Sequence, residues 1–249
     1  MTYSGAVQVG GPADVHELTD LMISKIAVGP MNNNAYLLRC RATGAQLLVD
    51  AAAEPDKLLA LIGEDGIAGV VTTHRHGDHW GALSEIVDAT GARTYAGRYD
   101  AEGIPVPTDT PVGDGDTIGF GEIALTARHV TGHTPGSIVL VYDDRHGHPH
   151  VFTGDCLFPG GVGNTFQDSE AFASLLHDVE TKIFDRLPDE TWVYPGHGDD
   201  TTLGDERPHL GEWRGGGREG GTGGGGRGGA AAGGPGGRGA GGGGGGGGG

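Results

Sequence analysis

Residues 74–79 read His74-Arg75-His76-Gly77-Asp78-His79, and they follow without a gap on the run Gly69-Val70-Val71-Thr72-Thr73. A short run rich in β-branched residues, ended by polar ones, predicts a strand. The six residues after it hold three imidazoles and a carboxylate. Such nitrogen and oxygen donors hold zinc, iron or manganese at open catalytic positions. On a loop, alternate residues turn toward one point, so His74 and His76 can share one ion while Asp78 and His79 reach a second. Gly77 is expected to supply the sharp bend between them.

Three more ligand-type residues stand beside glycine at the end of an apolar run. His133 lies in Thr131-Gly132-His133-Thr134-Pro135-Gly136, Asp155 in Thr153-Gly154-Asp155-Cys156, and His197 in Tyr194-Pro195-Gly196-His197-Gly198. Loops that follow strands are where scaffolds usually carry metal and catalytic groups.

Further strands are expected at 26–28, 35–38, 46–49, 93–96, 137–142 and 150–153, with a hairpin over 116–130 around Gly119-Phe120-Gly121. A strand at 191–194 closes the series. Helical spacing appears at 54–63, at 80–89 with Gly91 as C-cap, and at 169–187, where Phe172, Leu175, Leu176, Val179, Ile183 and Phe184 share one side. Two strand-rich halves with helices between and after them make an α/β protein, either a four-layer αββα sandwich or a doubly wound sheet.

Composition sets the limits of the folded part. Of 53 glycines, 25 fall between Gly215 and Gly249, with no period of three, which excludes collagen. That segment has too little apolar surface to offset the entropy of ordering it, so 215–249 is expected to be a disordered low-complexity tail and 1–214 one domain. Three arginines without an aromatic residue offer little for stacking on RNA.

Without the tail's three Arg and one Glu, the chain keeps 13 basic and 32 acidic side chains, a net charge of −19. Such a surface repels phosphate backbones and argues against a nucleic-acid partner. The two cysteines, Cys40 and Cys156, form no Cys-x-x-Cys pair, so a disulfide scaffold is not expected. No segment approaches membrane-spanning length, and the first residues lack a basic stretch followed by an apolar run. The expectation is a cytoplasmic protein acting on a small molecule, with no membrane partner.

The order His-x-His-x-Asp-His, Gly-His-Thr-Pro-Gly, Thr-Gly-Asp and Pro-Gly-His-Gly resembles the metallo-β-lactamase superfamily over roughly residues 20–210. Within it, the chain is most similar to the short form of hydroxyacylglutathione hydrolase, or glyoxalase II. The resemblance implies the αββα sandwich, with His74, His76 and His133 on a first metal, Asp78, His79 and His197 on a second, and Asp155 bridging them. Asp78 and Asp155 would be the catalytic carboxylates. Two divalent ions, zinc first and iron or manganese as alternatives, would acidify a bridging water to a hydroxide at neutral pH. β-Lactamases of the commonest zinc class carry cysteine where Asp155 stands, and the flavodiiron branch carries a glutamate that the first motif lacks.

The resemblance favours thioester hydrolysis, but it breaks where a thiol carrier would bind. The family's usual Gly-Arg after the bridging aspartate is replaced by Gly163-Asn164, and a C-terminal helical domain that helps hold glutathione is not expected. Persulfide dioxygenases, with one iron on two histidines and an aspartate, share the motif and are the alternative, to which Asn164-Thr-Phe-Gln bears a loose likeness. Hydrolysis of another ester, a lactam or a phosphodiester also stays open. Asp50 is read either as an acid orienting a ligand histidine or as a helix N-cap. Cys156 is read as a small buried side chain, and His146-Gly-His-Pro-His150 as a solvated turn.

Overall fold

In β3 (Asn33–Cys40), Tyr36, Leu38 and Cys40 enter one apolar cluster while Ala35 and Leu37 enter another. The same alternation recurs in β10 (Ile138–Tyr142), where Ile138, Leu140 and Tyr142 face the first cluster and Val139 and Val141 a third. Side chains of a strand alternate between faces, so strands apolar on both faces must be covered on both. The computed structural model describes residues 3–216 and shows this arrangement as four layers. The αββα sandwich is therefore the architecture, and the doubly wound sheet is excluded.

The first sheet has seven strands in chain order: β1 (Asp14–Glu17), β2 (Leu21–Val28), β3, β4 (Gln46–Val49), β5 (Gly69–Thr72), β6 (Arg93–Gly97) and β7 (Thr110–Val112). Pairs β1 to β4 are antiparallel and pairs β4 to β7 parallel. The parallel half needs crossovers, which α1 (Pro55–Ile62) and α2 (Leu83–Thr90) supply for β4–β5 and β5–β6. Leu58, Ile62, Leu83 and Ile86 seal these helices onto the outer face.

The second sheet contains β8 (Thr117–Phe120), β9 (Ile123–His129), β10, β11 (His150–Gly154), β14 (Trp192–Pro195) and β15 (Thr201–Thr202), in the order β15-β14-β11-β10-β9-β8. A small ribbon, β12 (Leu157–Phe158) with β13 (Gly161–Val162), follows β11. The crossover α3 (Ser169–Val179) starts from Asp168, whose side chain caps the Glu170 and Ala171 amides. It runs on into a π-helical turn, Glu180–Phe184, rather than continuing as α-helix to 187.

Four expectations need correction. The strand expected at 26–28 starts at Leu21, because Ser24 and Lys25 interrupt the apolar pattern and are nevertheless buried. The second helix starts at Leu83, because Gly77–His79 form a 3-10 turn first. The elements do not end at 194, since β15, α4 (Leu203–Glu206) and α5 (Leu210–Gly216) follow and place Trp213 in the outer core at 1% exposure. The solvated turn stops short of His150, which opens β11 as the strand expected at 150–153 has it, is buried, and bonds through Nδ1 to the Tyr194 hydroxyl at 3.0 Å. The glycine-rich tail expected from Gly215 lies, beyond Gly216, outside the described residues.

Candidate metal centre

Backbone hydrogen bonds stitch the two sheets together at one end. The Ile138 amide donates to the Thr73 carbonyl (2.9 Å) and the Asn34 amide to the Gly196 carbonyl (2.8 Å). Four segments converge there: the loop after β5 with His74, His76, Asp78 and His79, the β9–β10 loop with His133, the end of β11 with Asp155, and the end of β14 with His197. All seven residues expected as ligands are thus brought together. The donor atoms of His74, His76 and His133 lie within 4.8 Å of one another, as do those of Asp78, His79 and His197, and those of His74, His79 and Asp155.

Hydrogen bonds on the far side of each ring decide which nitrogen faces the centre. His133 Nδ1 donates to the Asn164 carbonyl (2.8 Å), and His74 Nδ1 lies 3.1 Å from Thr73 Oγ1, whose own proton goes to Asp50. Both rings therefore turn a bare Nε2 inward, 3.2 Å apart, and His76 Nδ1 closes the triangle at 3.1 and 3.0 Å. At most one proton is available among three nitrogens at that spacing. Lone pairs facing one another in a buried site are costly, and a cation between them removes the cost. Burial, reinforced by neighbouring imidazoles, holds the pKa values of His74 and His76 below the usual histidine range, which keeps them in the neutral form a ligand requires.

The second triad is arranged in the same way. His79 Nδ1 donates to Asp50 Oδ2 (2.8 Å) and His197 Nδ1 to the Met31 carbonyl (3.0 Å), so each presents Nε2. Asn33 Nδ2 donates to Asp78 Oδ2 at 2.9 Å and fixes its rotation. Burial opposes charge on His79 and His197, but the nearby carboxylates outweigh it. Asp155 and Asp50 hold His79 well above its ordinary pKa, and hydrogen bonds with Asp155 and Asp78 carry His197 up to about 9. Positive charge is favoured at this point, as a metal site needs.

Asp155 sits between the triads. Its Oδ1 lies 3.3 Å from His79 Nε2, and its Oδ2 lies 3.6 Å from both His133 Nε2 and His197 Nε2. His79 Nε2 and Asp155 Oδ1 are buried without a hydrogen-bond partner among the described residues. Two orphaned polar atoms at the junction of seven ligand side chains fit a pair of ions sharing one carboxylate. Gly196 is required there, since a Cβ on it would overlap Asp155 Oδ1 and approach His79 Cε1 to 2.7 Å. Gly77, by contrast, has no positive φ; it opens the 3-10 turn, and a Cβ would meet only the Trp80 ring at 3.6 Å. The bend expected of it is made by ordinary backbone.

Asp50 is the orienting acid and not a helix cap, because Glu54 occupies the N-cap of α1. It adopts φ 59° and accepts from the Thr73 amide, the Thr73 hydroxyl and His79. Cys156 is buried, and burial pushes its thiol pKa far up, in keeping with an inert side chain. Sequence reasoning missed Asp100, which is fully buried and accepts from the Arg75 amide, Thr134 Oγ1 and the Gly136 amide, tying two ligand loops together. It also missed Lys25, whose ammonium binds Asp200 and the Gly198 carbonyl behind His197. An uncovered acid after β6 and a lysine inside an apolar strand were the only traces of these roles.

A cavity of about 280 Å³ opens over the centre. His76, Asp78, His133 and Asp155 line it on the ligand side, and Met31, Asn164 and Phe166 elsewhere.

A sequence profile described as "Metallo-beta-lactamase superfamily" matches residues 28–197. The hydroxyacylglutathione hydrolase of Polaromonas is 34% identical over 71% of this chain and 66% of its own length. The human mitochondrial persulfide dioxygenase is 35% identical over 65% of this chain and 62% of its own. The chain thus spans about two-thirds of the length of these relatives. Among solved structures, the B3 metallo-beta-lactamase BLEG-1 superimposes with a TM-score of 0.67 at 26% identity, over 76% of this chain and 98% of that one.

Proposed function

The chain belongs to the metallo-beta-lactamase superfamily, and from that premise we propose that it is a dinuclear metallohydrolase whose substrate is a thioester. The observation that carries the proposal is the place of Asp155, which faces ligand nitrogens of both triads. Persulfide dioxygenases share the motif, so the presence of Asp78 and His79 does not by itself separate one ion from two; the support for two is the arrangement of the second triad around Asp155. That triad also has its own orienting partners in Asp50, Asn33 and the Met31 carbonyl.

His74, His76 and His133 would hold one ion and Asp78, His79 and His197 the other, with Asp155 shared. Two divalent cations bound there supply Lewis acidity and a water acidified to near neutrality. The chain's own part is to position and to exclude. Asp155 sets the spacing of the two triads through its two oxygens. Asp78, half-buried and lining the cavity, has Oδ2 engaged by Asn33, and against the cost of burial the hydrogen bond with His197 and the charge of His79 hold its carboxyl well below the usual carboxylate range, so it stays ionised as a ligand requires. No serine or cysteine nucleophile is needed, and the only cysteine near the centre, Cys156, is buried.

Hydrolysis of S-lactoylglutathione and other thioesters, measured beside lactam, phosphodiester and persulfide substrates on protein of known metal content, tests this reading. Two metal ions per chain with thioester hydrolysis support it. One iron per chain with oxygen uptake on a persulfide replaces it with the dioxygenase reading, which the 35% identity to the human enzyme keeps as its competitor.

A further inference from the structure

Two large apolar side chains are exposed at the mouth of the cavity, Met31 at 48% and Phe166 at 68%. Exposed apolar side chains that line a concave site are available to a ligand. Each belongs to a segment that also orients one triad. The Met31 carbonyl accepts from His197, and the Asn164 carbonyl, two residues before Phe166, accepts from His133. The loops that carry the mouth residues therefore also orient one histidine of each triad.

Phe166 is held, not loosely displayed. It and Gln167 adopt φ 56° and 67°, a region that costs non-glycine residues energy and persists where surrounding structure enforces it. The enforcing bonds are the Phe166 amide to Asn164 Oδ1 (2.7 Å) and the Asp168 amide to the Thr165 carbonyl (3.0 Å), with Asp168 anchored as the cap of α3. The ring lies edge-on to His76 at 5.9 Å and roughly parallel to His133 at 6.3 Å.

Charge near the mouth points the same way. None of the residues lining the cavity is Lys or Arg. Arg75, the only cation in the ligand loop, turns toward Asp100 and Gly103 instead. A carrier with free carboxylates finds no cation at this wall. The volume, near the lower end of the roughly 300–1,000 Å³ of small-molecule sites, encloses a compact group only.

We infer that Met31 and Phe166 grip an uncharged, apolar acyl group, so that the substrate class is a short-chain acyl thioester whose carrier extends into solvent. This rests on the hydrolase reading above. Water adds to the acyl carbon, the C–S bond breaks, and the thiolate takes up a proton, giving a carboxylic acid and a free thiol.

The test uses the metal-loaded full chain and acyl thioesters of N-acetylcysteamine, from acetyl to hexanoyl, beside S-lactoylglutathione. The expected result is kcat/KM rising with acyl length and exceeding that for S-lactoylglutathione. Phe166→Ala and Met31→Ala should each lower kcat/KM for the longer esters by roughly tenfold, mainly through KM, with metal content unchanged, and Phe166→Leu should restore part of the loss. Equal rates along the series, or a preference for S-lactoylglutathione, would overturn the inference and leave the hydrolase standing. Failure to hydrolyse any thioester with both metals bound would overturn the proposed function, and this inference with it.

Discussion

Asp50 Oδ2 accepts the Nδ1 proton of His79 at 2.8 Å, and that bond aims His79 Nε2 at Asp155, 3.3 Å away. The carboxylate fixes the tautomer and makes the imidazole a better donor to a metal. Asp50→Asn keeps the size and tolerates the positive φ but loses the charge. Metal affinity at the second site is expected to fall by about 10–100-fold. Chelator competition on wild type and variant measures it, and equal affinities would deny Asp50 this role.

Gly196→Ala asks whether the packing around Asp155 is as close as it looks. The added methyl overlaps Asp155 Oδ1 and crowds His79, so bound metal and turnover should both drop while the far-ultraviolet circular dichroism stays native. Asp155→Ala should abolish turnover and lower metal content without that crowding. A Gly196→Ala protein with full metal content would mean that the β14 loop yields easily.

Part of the acid sensitivity should trace to the end of the sandwich away from the metal ligands. Burial, with His148 and His16 nearby, depresses the His150 pKa to about 3. A histidine whose folded pKa lies below its unfolded value of about 6.5 stabilises the fold fully above 6.5, and this contribution is lost as pH falls toward 3. The slope approaches 1.4 kcal/mol per pH unit at most. His150→Asn should make the fall in unfolding free energy between pH 6.5 and 4 shallower but not abolish it, because His16, His74 and His76, which burial also depresses, contribute to the same slope. An unchanged slope would place the acid-sensitive group elsewhere.

Trp213 packs near Phe184, ring centroids 6.3 Å apart, against the outer face of the second sheet. Trp213→Ala should cost about 3–5 kcal/mol, read from denaturant unfolding. A loss under 1 kcal/mol would make α5 an ornament of the fold.

The ligands were legible because their signals are local: four crowd into six residues after a run of β-branched residues, and His133, Asp155 and His197 each stand beside glycine near the end of an apolar run. That the strands are covered on both faces was legible in β3 and β10, but this pattern fits a doubly wound sheet as well, and only the order of the ligand motifs pointed to the αββα sandwich. What escaped depends on contacts across the sandwich. Asn33 reaches Asp78 over 45 positions, and Lys25 reaches Asp200 over 175. His150 ends the histidine-rich turn and opens the strand expected at 150–153; its partner, the Tyr194 hydroxyl of the neighbouring strand, was not legible. Trp213 was hidden by the glycine run that begins two residues later.

Elemental analysis of the purified chain, read together with thioester turnover, bears most directly on the central claim. The shared position of Asp155 predicts two divalent ions per chain in wild type, fewer in Asp155→Ala, and hydrolysis that tracks the doubly loaded form. A single iron per chain that supports persulfide oxidation, with no thioester hydrolysis after a second ion is added, would contradict it.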